Sequence, residues 1–203
     1  MLGAGWILYC VLHSVFASVK VKQVLQRSMR RSFRYYRFAY TVFAFIGLGI
    51  ILFYQFSIRT IFLFSSPLWL QIAGSLLMTG GAVIMLMMIW KYFMQLSGVR
   101  WLFKQEVRAH LEITGLHNYV RHPLYLGTFA FIWGWFLIRP YISYFIACAI
   151  ITIYTLVALI FEEEKLVMEF GEDYIEYKKN VPKIIPKIKN RTQEGLEYDI
   201  RDL

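Results

Sequence analysis

Residues 115–127 read Gly-Leu-His-Asn-Tyr-Val-Arg-His-Pro-Leu-Tyr-Leu-Gly, so two histidines, one arginine and two tyrosines stand where the chain enters an apolar segment. Hydrocarbon makes such polar groups costly to keep, and where they are kept they usually serve chemistry or transport. A second polar set follows the next apolar segment: Glu162, Glu163 and Glu164, then Phe170, Gly171, Tyr174 and Tyr177. Acids at the C-terminal end of a helix oppose its dipole and need compensation. Solvent with Lys165 and Lys178 can supply it, or else Arg121, His122 or a cationic ligand across the hairpin. The link between the two apolar segments, Arg139-Pro140, is so short that they must form an antiparallel hairpin with adjoining ends. Snorkelling and an aromatic belt would account for Arg121 and Tyr125 alone, but not for His117 and His122 beside them.

The elements that must hold these residues are membrane helices. Hydrophobic residues make up 58% of the 203-residue chain and aromatic residues 18%, and the mean hydropathy is +0.49, outside the range of a soluble domain. The net charge of +9 does not indicate nucleic acid, because the basic residues lie in loops between apolar runs rather than on a separate polar domain. Cys10 and Cys148 both fall inside apolar runs, which suggests neither a disulfide framework nor a metal site.

The hydrophobic runs predict an all-α, five-span membrane protein with spans at residues 2–17, 38–56, 68–90, 123–138 and 141–161. The first reads as a retained signal anchor. Residues 20–37, with seven Lys/Arg and no acid, read as a basic amphipathic segment on an anionic leaflet. Residues 91–114 read as a short interfacial helix. Gly74, Gly80 and Gly81 read as close-packing positions, and Met85, Met87 and Met88 as adaptable packing. Pro123 suits the first turn of a helix. After the fifth span the helix continues over residues 162–170 as it leaves the bilayer, Gly171 caps it, and a second short helix follows as a cytoplasmic cap. Residues 181–186, with two prolines, must be extended, and 187–203 read as a loose tail. The whole is one membrane domain, 1–203: residues 1–114 on the acceptor side, 115–186 as a cofactor-binding core, and the tail.

The loops and the C-terminal segment carry seven, one, five, one and eight Lys/Arg in turn. This alternation predicts an outside N-terminus and a cytoplasmic C-terminus and site. All thirteen acids lie after residue 105, on the segments assigned to the cytoplasm.

The order G-x-x-x-Y-V-R-H-P-L-Y-L-G, a hydrophobic hairpin, E-E-x-x-L-x-x-x-F-G-x-x-Y-x-x-Y and a closing V-P-x-x-I-P, over residues 115–186, resembles the C-terminal half of the isoprenylcysteine carboxyl methyltransferase and phospholipid methyltransferase superfamily. The first half, with residues 12–17 and Arg34-Tyr35-Tyr36-Arg37, is more weakly similar to the branch that includes methanethiol S-methyltransferase. The resemblance implies S-adenosylmethionine as methyl donor. It implies a cofactor site of Tyr119, Val120, Arg121, His122, Pro123, Tyr125, Leu126 and Gly127 from the first motif, Glu162 and Glu163 from the acidic pair, and Phe170, Gly171, Tyr174 and Tyr177 over the cofactor. His117 stands within the same stretch where an aromatic is common, and Lys183 where Arg is common.

The donor so implied carries a sulfonium, an ammonium and a carboxylate, which call for carboxylates, aromatic faces and a basic group. Arg121 or His122 could hold the methionyl carboxylate, and Glu162 or Glu163 could align or deprotonate the acceptor, so the catalytic candidates are Glu162, Glu163 and Arg121. The acceptor is a small molecule or lipid: a thiol, a prenylated thiol carboxylate or a lipid amine. Membrane lipids are the surroundings, and no nucleic acid or obligate protein partner is indicated. Two other readings are an NADPH-dependent membrane reductase and a non-catalytic transport or trafficking protein.

Overall fold

A computed structural model describes residues 1–96 and 111–186. Helix α1 spans Leu2–Ala17 and ends at Ser18, whose hydroxyl donates to Val15 O and accepts from Val21 N. That double use turns the chain, and α2 (Val19–Met29) departs at about 58°. A 3-10 turn over Arg30–Tyr35 leads into α3 (Tyr36–Ser57), so the predicted basic segment is a helix followed by a tighter turn. Helix α4 (Leu68–Leu96) runs six residues past its predicted end at Trp90. Helix α5 (Pro123–Ile138) has proline in its first turn, and α6 (Ile142–Phe170) is one uninterrupted helix of 29 residues. At Gly171 φ is +56°, a backbone conformation that favours glycine, and it frees the chain to start α7 (Glu172–Asn180) with Glu172 and Asp173 at the positive end of the new dipole. No strand forms among the described residues; a single antiparallel bridge joins Phe62 to Tyr141. Residues 97–110 of the predicted interfacial helix and all of the predicted tail lie outside the described residues.

Glycine brings α4 and α5 together as antiparallel neighbours. A Cβ on Gly81 would lie 2.5 Å from Phe131 N and 2.6 Å from Gly127 O, and one on Gly134 would lie 2.5 Å from Met78 N. The seam is therefore backbone against backbone, as in small-residue packing between membrane helices. Gly74 belongs to it too, 2.8 Å from Gly134 O by the same measure, whereas Gly80, expected in the seam, faces open space. Met85 packs against Gly127 and Met88 is buried, but Met87 is exposed.

Helix α1 lies between α3 and α6. Trp6 and Leu2 pack with Ile51 and Ala147, and the Trp6 indole donates a buried hydrogen bond of 2.7 Å to Gln55 Oε1. Side-chain pairs give the directions. Gly3 meets Ile146 and Ser14 meets Tyr154, so α1 and α6 are parallel. Trp6 meets Gln55 and His13 meets Tyr40, so α3 is antiparallel to α1. Trp133 donates to Thr152 and Tyr125 to Glu162, so α5 and α6 form the predicted hairpin. The start of α5, the end of α6 and the α1–α3 connection consequently share one end of the molecule.

Among the described residues, three stretches are long and apolar enough to cross a bilayer by themselves: Phe38–Ser57, Leu68–Tyr92 and Ile142–Phe170. Five were predicted. Helices α1 and α5 have 16 residues each, about 24 Å, less than the roughly 30 Å hydrocarbon thickness.

Candidate active site

The polar loop before α5 is held from three directions. Gly115, at φ +63°, opens a 3-10 turn over Gly115–Asn118 that presents His117. The imidazole Nε2 of His117 lies 3.1 Å from the Tyr92 hydroxyl on α4, Nδ1 lies 3.2 Å from Arg121 O, and its carbonyl accepts 2.7 Å from the Tyr177 hydroxyl on α7. Upstream, the Glu112 carboxylate bonds Thr114 and pairs with Lys91 at 3.2 Å. The segment 181–186, expected to be extended but bent at 183–185, then clips the loop from the C-terminal side: Arg121 N donates to Pro182 O (2.9 Å) and His122 N to Lys183 O (3.2 Å).

Beneath this loop the end of α6 contributes two carboxylates with different surroundings. Glu162 accepts a 2.8 Å hydrogen bond from the Tyr125 hydroxyl. Glu163, 5% exposed, is the hub of four basic groups: Arg121 Nη1 at 3.1 Å, His122 Nε2 at 3.3 Å, Lys183 Nζ at 3.0 Å and Lys178 Nζ at 3.7 Å. The Arg121 contact is close enough for an ion pair but misaligned for a hydrogen bond, so buried Nε and Nη1 have no hydrogen-bond partner. The hydroxyl of Tyr174, a residue 1% exposed, is also unpartnered. Unbonded buried donors are costly, and a site that keeps them has capacity for a polar ligand. With three cations around the Glu163 carboxylate, that capacity favours an anionic group.

Burial pushes the His122 imidazole below its ordinary value, and the opposing pull of Glu162 and Glu163 does not restore it; burial lowers His117 likewise. Burial raises the Tyr174 phenol and pushes Tyr177 up to about 12. Both histidines are thus held neutral as hydrogen-bonding groups. An unfolded chain takes up protons on them near the ordinary pKa of about 6.5, before the folded chain does, so stability falls as pH drops through that region and is recovered above it. The melting temperature of the purified protein is expected to decline from pH 7 to 5.5, and His122→Asn to flatten that decline. An unchanged slope would remove His122 from the account.

A cavity of about 550 Å³ opens beside Glu163, lined by Ile160, Glu164, Val167, Met168, Lys178 and Lys183. Of the residues proposed from sequence, Arg121, His122, Tyr125, Glu162 and Glu163 meet directly, and His117, Tyr174 and Tyr177 join the same region. Tyr119 is 65% exposed, Leu126 and Phe170 are half-buried, and Val120 is buried. Pro123 and Gly127 are buried in the helix start and its seam with α4. The bonding of Tyr92 was not anticipated, whereas Lys178, named as a compensating charge for the acidic run, does reach Glu163. Lys183 was flagged only as a departure from an arginine.

The family described as phospholipid methyltransferase matches residues 69–173, more than half of the chain. Methanethiol S-methyltransferase of Crocosphaera subtropica is 27% identical over 191 residues, 89% of this chain and 72% of that protein. Methanethiol S-methyltransferase 1 of Bradyrhizobium diazoefficiens is 36% identical over 73 residues, 35% of this chain but only 24% of its own length. Protein-S-isoprenylcysteine O-methyltransferase of Schizosaccharomyces pombe is 36% identical over 83 residues, 40% of this chain and 35% of that protein. No solved structure matches the chain.

Proposed function

Because the chain belongs to the phospholipid methyltransferase family and is a membrane methyltransferase by that membership, we propose that it transfers methyl from S-adenosylmethionine to a small or lipophilic acceptor. The observation that carries the donor assignment is the buried meeting of Arg121, His122 and Tyr125 with Glu162 and Glu163 beneath Tyr174 and Tyr177. These groups fit the donor's chemistry. The unbonded Arg121 nitrogens and Lys183 suit its carboxylate, Glu162 its cationic groups, and the Tyr174 and Tyr177 rings its adenosine. S-adenosylmethionine, when bound, supplies an electrophilic methyl group on a sulfonium. The protein then contributes alignment in a site shielded from water, with Tyr125 fixing the Glu162 carboxylate in one orientation.

In this reading α1 and α5 also cross the membrane, giving five passes, because the alternating helix directions and the alternating basic residues agree. The site then faces the cytoplasm, where the donor is made.

Two measurements test the donor. S-adenosylhomocysteine should raise the melting temperature in detergent, ligand at one hundred times its dissociation constant stabilising by about 2.7 kcal/mol; stabilisation by NADPH and not by the nucleosides would favour a reductase instead. Glu162→Gln should leave folding intact and lower transfer roughly tenfold to over a hundredfold, the worth of one hydrogen bond to a charged group. Full activity in Glu162→Gln, matched to exposed Glu169→Gln as control, would remove Glu162 from the mechanism.

A further inference from the structure

Inside the helices, one histidine stands among hydroxyls. His13 on α1 has the Tyr40 hydroxyl of α3 at 3.0 Å from Nδ1 and 3.1 Å from Nε2, and the same hydroxyl reaches His13 O at 3.2 Å. Its ring also meets those of Tyr9 (6.0 Å) and Tyr154 (6.5 Å, edge-on). Ser14 donates to the Tyr154 hydroxyl at 3.0 Å. Cys10 lies one turn earlier on α1 and Tyr36 one turn earlier on α3, so the groups around the imidazole are phenols, a hydroxyl and a thiol.

This cluster adjoins the carboxylate site. The Tyr40 and Tyr154 hydroxyls lie within electrostatic range of Tyr125, whose hydroxyl bonds Glu162. Ser14 is exposed while His13, Tyr40 and Tyr154 are half-buried, so the cluster is reachable from the membrane side. A packing role does not explain a polar cluster of this extent, since hydrocarbon-level histidines are costly to retain. With its own proton donated to His13 O, the Tyr40 hydroxyl accepts from whichever ring nitrogen carries hydrogen, and the other nitrogen keeps the lone pair that can take a proton.

We propose that His13 is the proton acceptor for a neutral thiol that reaches the site between α1, α3 and α6, an inference that rests on the methyltransferase reading. The thiol sulfur attacks the methyl carbon as the donor's sulfonium–methyl bond breaks; the S–H proton passes to the free nitrogen of His13. The donor leaves as a neutral thioether, the acceptor becomes a thioether, and the positive charge passes from sulfonium to imidazolium. The acceptor class follows from the base. A carboxylate acceptor is already ionised and needs no base, and an ammonium near pKa 10.4 is a poor proton donor to imidazole near 6.5, whereas a thiol near 8.5 is within reach.

The test uses the full chain in detergent, with labelled S-adenosylmethionine and a series of small thiols of differing acidity from pH 6.5 to 9. His13→Asn is expected to keep the S-adenosylhomocysteine thermal shift and to lose tenfold or more in kcat at pH 7. The deficit should shrink as pH rises and for the more acidic thiols, because thiolate then forms without help. Tyr40→Phe, which removes only the orienting hydroxyl, should lower kcat by a smaller factor with KM nearly unchanged. Wild-type rate and pH profile in His13→Asn would overturn the proposal, as would unchanged kcat in Tyr40→Phe if His13→Asn proves unable to bind the nucleoside. Transfer by the unaltered chain to lipid amines and to no thiol would also overturn it. A failure of the methyltransferase reading would show separately, as absence of any nucleoside shift in the unaltered chain.

Discussion

Glu163→Gln is expected to destabilise the protein by about 3 kcal/mol and to lower the melting temperature by several degrees, with methyl transfer lost alongside. The carboxylate is buried and neutralises Arg121, which is nearly as buried, while Lys178 and Lys183 are partly exposed and can turn to water. Removing one partner of a buried ion pair costs roughly 3–5 kcal/mol because the other charge is stranded, and the exposure of the lysines argues for the low end. Glu163→Leu combined with Arg121→Met should recover most of the stability without activity, since no charge is then stranded. Equal melting of Glu163→Gln and the unaltered protein would show that the four basic groups are held by something other than this carboxylate.

Gly134→Leu should cost 3 kcal/mol or more and inactivate the protein from a distance. The added side chain would begin 2.5 Å from Met78 N, a backbone atom that cannot rotate away, so α5 must lift off α4. The start of α5 carries Tyr125 and follows Arg121 and His122, and a displacement of about 1 Å at reacting groups can cost a hundredfold in rate. Gly80→Leu, on the partner helix α4 but facing open space, is the matched control and should stay within about 0.5 kcal/mol. Similar unfolding profiles for both variants in a denaturing detergent titration would rule out the close helix contact.

Much of this arrangement was legible because the signals were local. Proline at 123, glycine at 171 and the two-residue link at 139–140 mark helix boundaries by backbone chemistry alone. They oblige the first motif and the acidic run to meet. The division of labour between Glu162 and Glu163 was not legible. Adjacent helix positions point about 100° apart, and which one turns toward Tyr125 or toward Arg121 depends on the rotation of α6 in its packing. The Lys183 contact escaped for a related reason: its partner is set by how the segment after α7 folds back. The glycine seam was read on α4 only, because Gly127 already had a place in a motif and Gly134 sits in an aromatic run; its complement is visible only when two helices are paired. Two of the five expected spans are helices too short to cross a bilayer by themselves, because hydropathy marks a helix as apolar without fixing its length.

The clip of Arg121 and His122 onto Pro182 and Lys183 sets an order of assembly. A ribosome makes α1 to α6 first, and each can enter the membrane as it emerges, but the backbone partners of the polar loop and the lysine at Glu163 are synthesised only after α7. Until then the loop amides at 121 and 122 are without those partners and Glu163 lacks Lys183; before α7 is made it lacks Lys178 as well. Function is therefore withheld during synthesis: a nascent chain can be fully inserted and still have no finished site.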